Sequence, residues 1–241
     1  MIVVGVIVCW ISAGVSSFIA GWLVRDKVDK YIYIDIEDQE EDTLRFIKDC
    51  EVALGKPIEI LKSEYGNVQN AILAAGVISL RGGFAPCTNY LKKRVRKEWE
   101  DKHTGIDITY VWGMDVNEVN RAERLKLSMP QYKHIFPLIE NHLTKESSHA
   151  ILQDLNIKRP KMYDLGYPNN NCVGCVKGGM GYWNKIRKDF PDVFEARSKL
   201  ERKLGYSILK ECYLDELDEN RGTNKEIFPE CDIFCMLQQE K

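Results

Sequence analysis

The first sixty residues alternate between short runs of β-branched apolar side chains and longer stretches with apolar positions on one side only. Ile2-Val3-Val4 through Ile7-Val8 is unbroken by polar residues, the pattern of a strand buried on both faces, and predicts a strand over 2–10. Residues 17–27 read as a helix. Tyr31-Ile32-Tyr33-Ile34-Asp35 predicts a second strand, running into an acidic stretch from Glu37 to Asp42. Leu44, Ile47 and Val52-Ala53 supply the apolar side of a helix from Thr43 to Leu54, with Gly55 as its stop, and Pro57 to Leu61 is a third strand. A helix over 67–75 precedes the glycine-bearing loop Arg81-Gly82-Gly83 and a basic helix over 87–101. Ile106 to Val111 is a fourth strand and Asn117 to Leu127 a helix.

Strands separated by helices imply right-handed crossovers and a mainly parallel, doubly wound α/β sheet. In such sheets ligands bind beyond the carboxyl ends of the strands, which places the loops after residues 10, 35 and 111 on one rim. The simplest organisation is a nucleotide-binding core over 1–140 and a helical, cysteine-bearing extension over 141–241 packed on it as one domain. A net charge of −2 gives no bulk electrostatic case for nucleic acid or an anionic membrane. Met1 to Val24 carries no formal charge, yet Ser12, Gly14, Ser16 and Ser17 interrupt it and its halves differ in character. The expectation is strand–loop–helix, no membrane span and a cytoplasmic protein.

Eight cysteines change the picture. With no secretory signal, metal or redox chemistry is a better reading than a disulfide framework. Cys9 and Cys50 fall in apolar or amphipathic stretches and read as packing, as does Cys212. Cys172-Val173-Gly174-Cys175 is a Cys-x-x-Cys turn whose spacing lets two thiolates face one metal, although a dithiol redox pair has the same spacing. Cys87 begins the basic helix, where Lys92 or Arg94 would balance anionic charge; the bland alternative is a solvated face. The glycines at 178, 179 and 181 read as a hinge or as the wall of a site. The four histidines show no ligand spacing to one another.

The first βα connection is Ser12-Ala13-Gly14-Val15-Ser16-Ser17. Small residues there let backbone N–H groups approach an anion at the positive end of the following helix, and the hydroxyls add donors. Tight packing explains small residues equally well. This loop resembles the Ser-Gly-Gly-x-Asp-Ser pyrophosphate loop of the adenine nucleotide α-hydrolase superfamily. Further segments resemble that superfamily in order: the acidic end of the second strand (Asp35, Asp38, Glu41), Gly113-Met114-Asp115 with Glu118 and Arg121, Phe136-Pro137-Leu138, and Pro160 to Tyr167 before the Cys-x-x-Cys turn. Together they resemble the phosphoadenosine phosphosulfate reductase family.

The resemblance implies a five-stranded sheet, an adenine nucleotide as substrate, and Ser12, Gly14, Ser16, Ser17, Asp35, Gly113 and Arg121 as its binding residues. It implies a metal centre at Cys87, Cys172, Cys175 and Cys235, as a [4Fe-4S] cluster or zinc. It implies Cys231 as nucleophile, in a Glu230-Cys231 tail like the family's Glu-Cys-Gly-Leu-His, with a thioredoxin-like electron donor. Three departures stand out. Ser16 replaces the loop aspartate that members cleaving ATP generally retain, one cysteine occupies a Cys-Cys position, and Asp232 replaces the tail glycine with no histidine after it. The alternatives are an ATP-dependent sulfurtransferase acting on a nucleic acid or small molecule, and a non-catalytic nucleotide-binding module with structural zinc.

Overall fold

The computed structural model describes residues 5–78 and 85–223. Arg81-Gly82-Gly83, Cys231 and Cys235 lie outside them. By chain contacts the protein divides into two compact units that interleave along the sequence. The first comprises residues up to Asp35, Glu41–Leu61 and Lys97–Leu165; the second comprises Ile36–Glu40, Lys62–Arg96 and Gly166 onward.

The first unit holds a five-stranded parallel sheet: β1 (Gly5–Ile11), β2 (Lys30–Asp35), β3 (Ile58–Lys62), β4 (Asp107–Val111) and β5 (Lys133–Ile135), in the order β3-β2-β1-β4-β5. β1 lies in the middle, with Val8 against Lys30 on one side and Tyr110 on the other. The predicted run of apolar residues is therefore a central strand, and Val8, Cys9, Trp10 and Ile11 are all buried. Helix α1 (Val15–Leu23) follows it after a three-residue loop, so from Gly5 to Leu23 the uncharged stretch is a strand, a loop and a nine-residue helix. Among the described residues no helix is long and apolar enough to cross a membrane.

α1 packs close to the sheet because Gly21 leaves room. A Cβ there would lie 2.9 Å from Cys9 Sγ and 3.0 Å from a Tyr31 ring carbon, and the Tyr31 hydroxyl donates to the Gly21 carbonyl. α2 (Asp42–Leu54) buries Phe46 edge-on against Phe18 and ends at Gly55, whose φ of 63° is the left-handed conformation its residue type favours. Burial of Phe18, Ile19, Phe46 and Ile47 stabilises this layer by about 1.5–3 kcal/mol per side chain. On the other face Trp10 meets Trp99 of α5 (Arg94–Lys102), ring centroids 5.8 Å apart. α6 (Val119–Ser128), α7 (Pro137–Glu140), α8 (Lys145–Asp154) and α9 (Lys161–Asp164) complete the unit.

The second unit contains α3 (Val68–Ala75), α4 (Pro86–Thr88), a π turn over Asn89–Lys93, α10 (Met180–Asp189) and α11 (Pro191–Leu204). The predicted basic helix is thus α4, the π turn and α5 in succession. By its residue pattern the stretch from Trp183 to Leu204 reads as an amphipathic helix interrupted near Pro191, and α10 and α11 do part there; Pro191 opens α11 because its missing N–H costs nothing at that position. The buried Glu201 carboxylate accepts the backbone N–H groups of Ile208 and Leu214, and so folds the segment after α11 back onto it.

One histidine is neutral by construction. Trp112 donates its indole N–H to His134 Nδ1 at 3.0 Å, so Nδ1 carries no proton and Nε2 donates to the Met129 carbonyl at 3.0 Å. Burial, opposed by the hydrogen bond to the Met129 carbonyl and aided by the nearby Lys126 charge, holds this imidazole below the ordinary value of 6.5, and burial with Lys145 and Arg159 does the same to His149. A folded-state pKa below the unfolded one means that the unfolded chain takes up protons first on acidification. Stability is expected to be full above pH 6.5 and to fall as the pH drops from there towards the lowered folded values. Urea unfolding across that window checks it. His134→Phe should show a shallower pH slope, and an unchanged slope would assign the effect to other groups.

Candidate functional site

The strands are parallel, so β1, β2 and β4 end on one edge, at Ile11, Asp35 and Val111. β2 and β3 lie to one side of β1, and β4 and β5 to the other. The crevice beyond β1 and β4 is therefore where the strand order reverses, the place at which open α/β sheets bind ligands. The Ser12–Gly14 loop opens there.

The loop is built from its own small residues. The Ser17 hydroxyl accepts from the Ser12 backbone N–H and the Ser12 hydroxyl, each at 3.0 Å, and donates to the Gly14 carbonyl at 2.9 Å. It is buried and braces the turn, whereas Ser12 is exposed and Ser16 half-exposed. Ala13 takes φ 60°, a left-handed conformation that glycine adopts freely and that costs an alanine about 1–2 kcal/mol. Gly14 then caps α1 with extended backbone, and no side chain caps the helix. The first-turn N–H groups of α1 consequently point into the loop with the helix dipole behind them.

Two distant residues fix this arrangement. Gly113, just past β4, presses against the loop: a Cβ at that position would lie 2.5 Å from Ser17 Cα and 2.6 Å from Ser17 N. Tyr163 of α9 reaches in from 148 residues away, and its hydroxyl accepts the Val15 N–H at 3.3 Å. That hydroxyl also lies 3.4 Å from where a Gly14 Cβ would be, so the loop is small where the tyrosine crosses it. Tyr163 is itself placed by α2. Asp42 accepts the Lys161 N–H at 3.0 Å, while Arg45, paired with Asp42, donates to the carbonyls of Lys158 (2.8 Å) and Arg159 (3.2 Å). The neighbouring guanidinium holds the Asp42 carboxyl below the usual carboxylate range. The His149 ring meets Tyr163 edge-on at 4.7 Å.

The remaining predicted nucleotide residues occupy the same unit. Asp35 ends β2, half-buried, with the Tyr33 hydroxyl 3.5 Å from its carboxylate. Arg121 on α6 is ion-paired with Glu118, whose other carboxylate oxygen accepts the Asp115 N–H at 3.1 Å. Asp115 in turn accepts the Asn117 N–H at 2.7 Å. This is a capping box, worth about 1 kcal/mol, and it orients the segment after β4. Desolvation by burial, only partly offset by Arg121, raises the Glu118 carboxyl.

The predicted thiol site lies in the second unit, where Cys87, Cys172 and Cys175 are all buried. Hydrogen bonds define the Cys172–Cys175 turn from several sides. Val173 donates its N–H to the Asp38 carbonyl at 2.7 Å, and Cys175 donates its N–H to the Tyr182 hydroxyl at 2.8 Å. That hydroxyl donates to the Cys172 carbonyl at 3.3 Å, and the Gly178 N–H closes onto the Cys175 carbonyl at 3.0 Å. Gly174 takes φ 70°, and a Cβ there would lie 2.5 Å from Val193 Cγ1. The glycines after the turn serve close packing. A Cβ on Gly178 would enter the Tyr182 ring, and one on Gly181 would meet the Thr223 backbone at 2.2 Å.

The turn provides two thiol donors of the kind that suits zinc or iron. Among the described residues no three His, Cys, Asp or Glu side chains form a group able to hold a metal ion. In the basic stretch, Arg94 lies over the Tyr90 ring at 4.1 Å, Arg96 is buried and Lys97 pairs with Asp101 at 2.7 Å. Much of that run is thus committed to packing and pairing.

Tyr163, Asp38, Arg197 and Tyr182 carry more of the site's geometry than sequence reasoning assigns them. Tyr163 was visible only as one of two tyrosines in the Pro160 to Tyr167 segment, and no motif marks Arg197.

No family model matches the chain. Over 169 residues, 68% of its length, it is 26% identical to an uncharacterized protein of Methanocaldococcus jannaschii, and the match covers 34% of that relative. The chain thus spans about a third of the length of the curated relative it matches.

Because the Gly113 approach is backbone against backbone, Gly113→Ala is expected to cost about 1–3 kcal/mol, the penalty of overpacking a tight contact. Gly76→Ala is the contrasting control: its built Cβ meets nothing within 4 Å, so its cost is confined to the left-handed backbone at φ 69°. Thermal or urea unfolding of the two variants checks this, and a Gly113→Ala protein as stable as the wild type would remove the contact from the account.

Proposed function

We propose that the chain is a nucleotide-binding enzyme of the sulfonucleotide reductase type. The Ser12–Ser17 loop would hold the phosphates of an adenine nucleotide and a cysteine thiol would act on the nucleotide's sulfur. The observation that carries the reading is the loop itself. An uncapped helix N-terminus opens at the point where the strand order reverses, closed in by Gly113 on one side and the Tyr163 hydroxyl on another. Anion binding is what this arrangement can do chemically: it offers first-turn N–H donors, an exposed Ser12 and a Gly14 with no side chain of its own.

In this reading Asp35, at the end of the adjacent strand, faces the nucleoside part, and Arg121 supplies positive charge after β4. The nucleophile is Cys231, outside the described residues. Its thiolate attacks the sulfate sulfur of an adenylyl sulfate; a bond from cysteine sulfur to sulfonate sulfur forms as the sulfur–oxygen bond to the nucleotide phosphate breaks, releasing the nucleotide. A dithiol donor of the thioredoxin kind then takes the cysteine back to thiol, freeing sulfite and becoming a disulfide. Cys172 and Cys175, with Cys87 and Cys235, are the residues that would hold a zinc ion or an iron–sulfur cluster, which when bound would supply a cross-link between the segments that carry them. The donor chemistry of the turn fits such a metal.

Calorimetric titration with adenosine 3′,5′-bisphosphate, adenylyl sulfates and ATP tests the reading. Binding is expected for the wild type and lost in Gly14→Asp, which sets a carboxylate against the anion. Tyr163→Phe, which keeps the ring but removes the hydroxyl that fixes the Val15 N–H, is expected to weaken binding about fivefold by loosening the loop, the scale of one neutral hydrogen bond. Sulfite release with a dithiol donor should vanish in Cys231→Ser. Undiminished turnover in that variant would contradict the thiol mechanism, and pyrophosphate release from ATP would move the assignment to an ATP-dependent sulfurtransferase.

A further inference from the structure

The acidic stretch after β2 reads, by sequence, as part of a nucleotide site, yet Asp38 is occupied elsewhere. One carboxylate oxygen accepts the Val68 N–H at the start of α3, at 2.5 Å. The other is ion-paired with Arg197 of α11, a contact spanning 159 residues in which the two side chains keep 4% and 12% of their exposure. The Asp38 backbone carbonyl accepts the N–H of Val173, inside the Cys172–Cys175 turn, at 2.7 Å. Arg197 closes the circuit, its Nε donating to the carbonyl of Gly174, the next residue of the same turn, at 3.4 Å.

The two central residues of the turn are therefore both held by one buried ion pair, Val173 through the aspartate's own backbone and Gly174 through the arginine. Neither hold needs the cysteine side chains. A buried, hydrogen-bonded ion pair keeps its geometry because removing one partner strands the other charge. The Tyr182 hydroxyl bridges the flanking residues, Cys172 and Cys175, so all four backbone units of the turn have a fixed partner.

We infer that Asp38 and Arg197 are positioning residues for the thiol pair: they hold the Cys172–Cys175 turn in one closed conformation and keep both sulfurs out of solvent. Asp38 then has no part in binding nucleotide. The inference rests on reading the turn as a working thiol or metal site, but its geometry stands whether or not a metal binds.

The test is residue-resolved thiol labelling of the native protein with a maleimide, read by mass spectrometry, with Cys9 and Cys50 as internal controls. Those two are buried in the sheet core of the other unit. Asp38→Asn keeps the backbone carbonyl and an acceptor for Val68 but removes the charge that holds Arg197. Arg197→Met keeps the aliphatic stem and removes both guanidinium bonds. In each variant Cys172 and Cys175 should label at least about tenfold faster, the scale of one lost charge-assisted hydrogen bond, while Cys9 and Cys50 stay protected. Adenosine 3′,5′-bisphosphate affinity should be unchanged in Asp38→Asn.

Equal labelling of Cys172 and Cys175 in wild type and both variants would overturn the inference, as would acceleration of all four cysteines together, which signals general destabilisation. Metal analysis of the same samples separates it from the reading on which it rests. Metal present in the wild type and depleted in Asp38→Asn supports both. A wild type without metal, but with the selective labelling, would sink the metal reading and leave the positioning role intact.

Discussion

The backbone of the β1–α1 loop lies against the backbone after β4, and the rest of the site depends on that contact. No side chain fits between Gly113 and Ser17. The contact fixes the start of α1 relative to the sheet edge, in the crevice where the strand order turns. Inside the loop the Ser17 hydroxyl satisfies Ser12 and Gly14, and Ala13 is held at a positive φ. Such strain persists only where the surroundings over-determine it. Here they do so through Gly113 on one side and Tyr163 on another.

Both candidate turns are held by residues remote in sequence, and each time a paired aspartate and arginine contribute to the hold. Asp42 and Arg45 grip the backbone before Tyr163 in the first unit, and Asp38 and Arg197 grip the cysteine turn in the second. In both cases the arginine donates to main-chain carbonyls as well as to its carboxylate. A planar, always-charged guanidinium with several donors suits that double duty, and lysine could not replace it. The acidic stretch after β2 thus supplies scaffolding to two different sites, its members four residues apart.

The sheet was legible because its central strand is an unbroken apolar run and the helix after the second strand carries a one-sided pattern ending at Gly55, which caps α2 at φ 63°. β5 was not, since three residues, Lys133-His134-Ile135, show no period; only the resemblance implied a fifth strand. The Ser12–Ser17 loop was visible as a cluster of small residues, but not the division of labour within it, in which Ser17 braces and Ser12 stays exposed. Of the glycines after the cysteine turn, which read as a hinge or a wall, Gly178 and Gly181 are close-packing positions. Tyr163 and Arg197 were illegible as site residues because their roles are contacts across about 150 residues of chain, which no local pattern encodes.

If the Ser12–Ser17 loop receives a nucleotide's phosphates, as proposed, its amides must respond to one. Backbone amide NMR of the labelled protein, titrated with adenosine 3′,5′-bisphosphate, measures that response. Saturable shifts are expected, concentrated on the amides of Gly14 to Ser17 and Gly113. No shift at those amides, or saturable shifts confined to the second unit, would contradict the proposal.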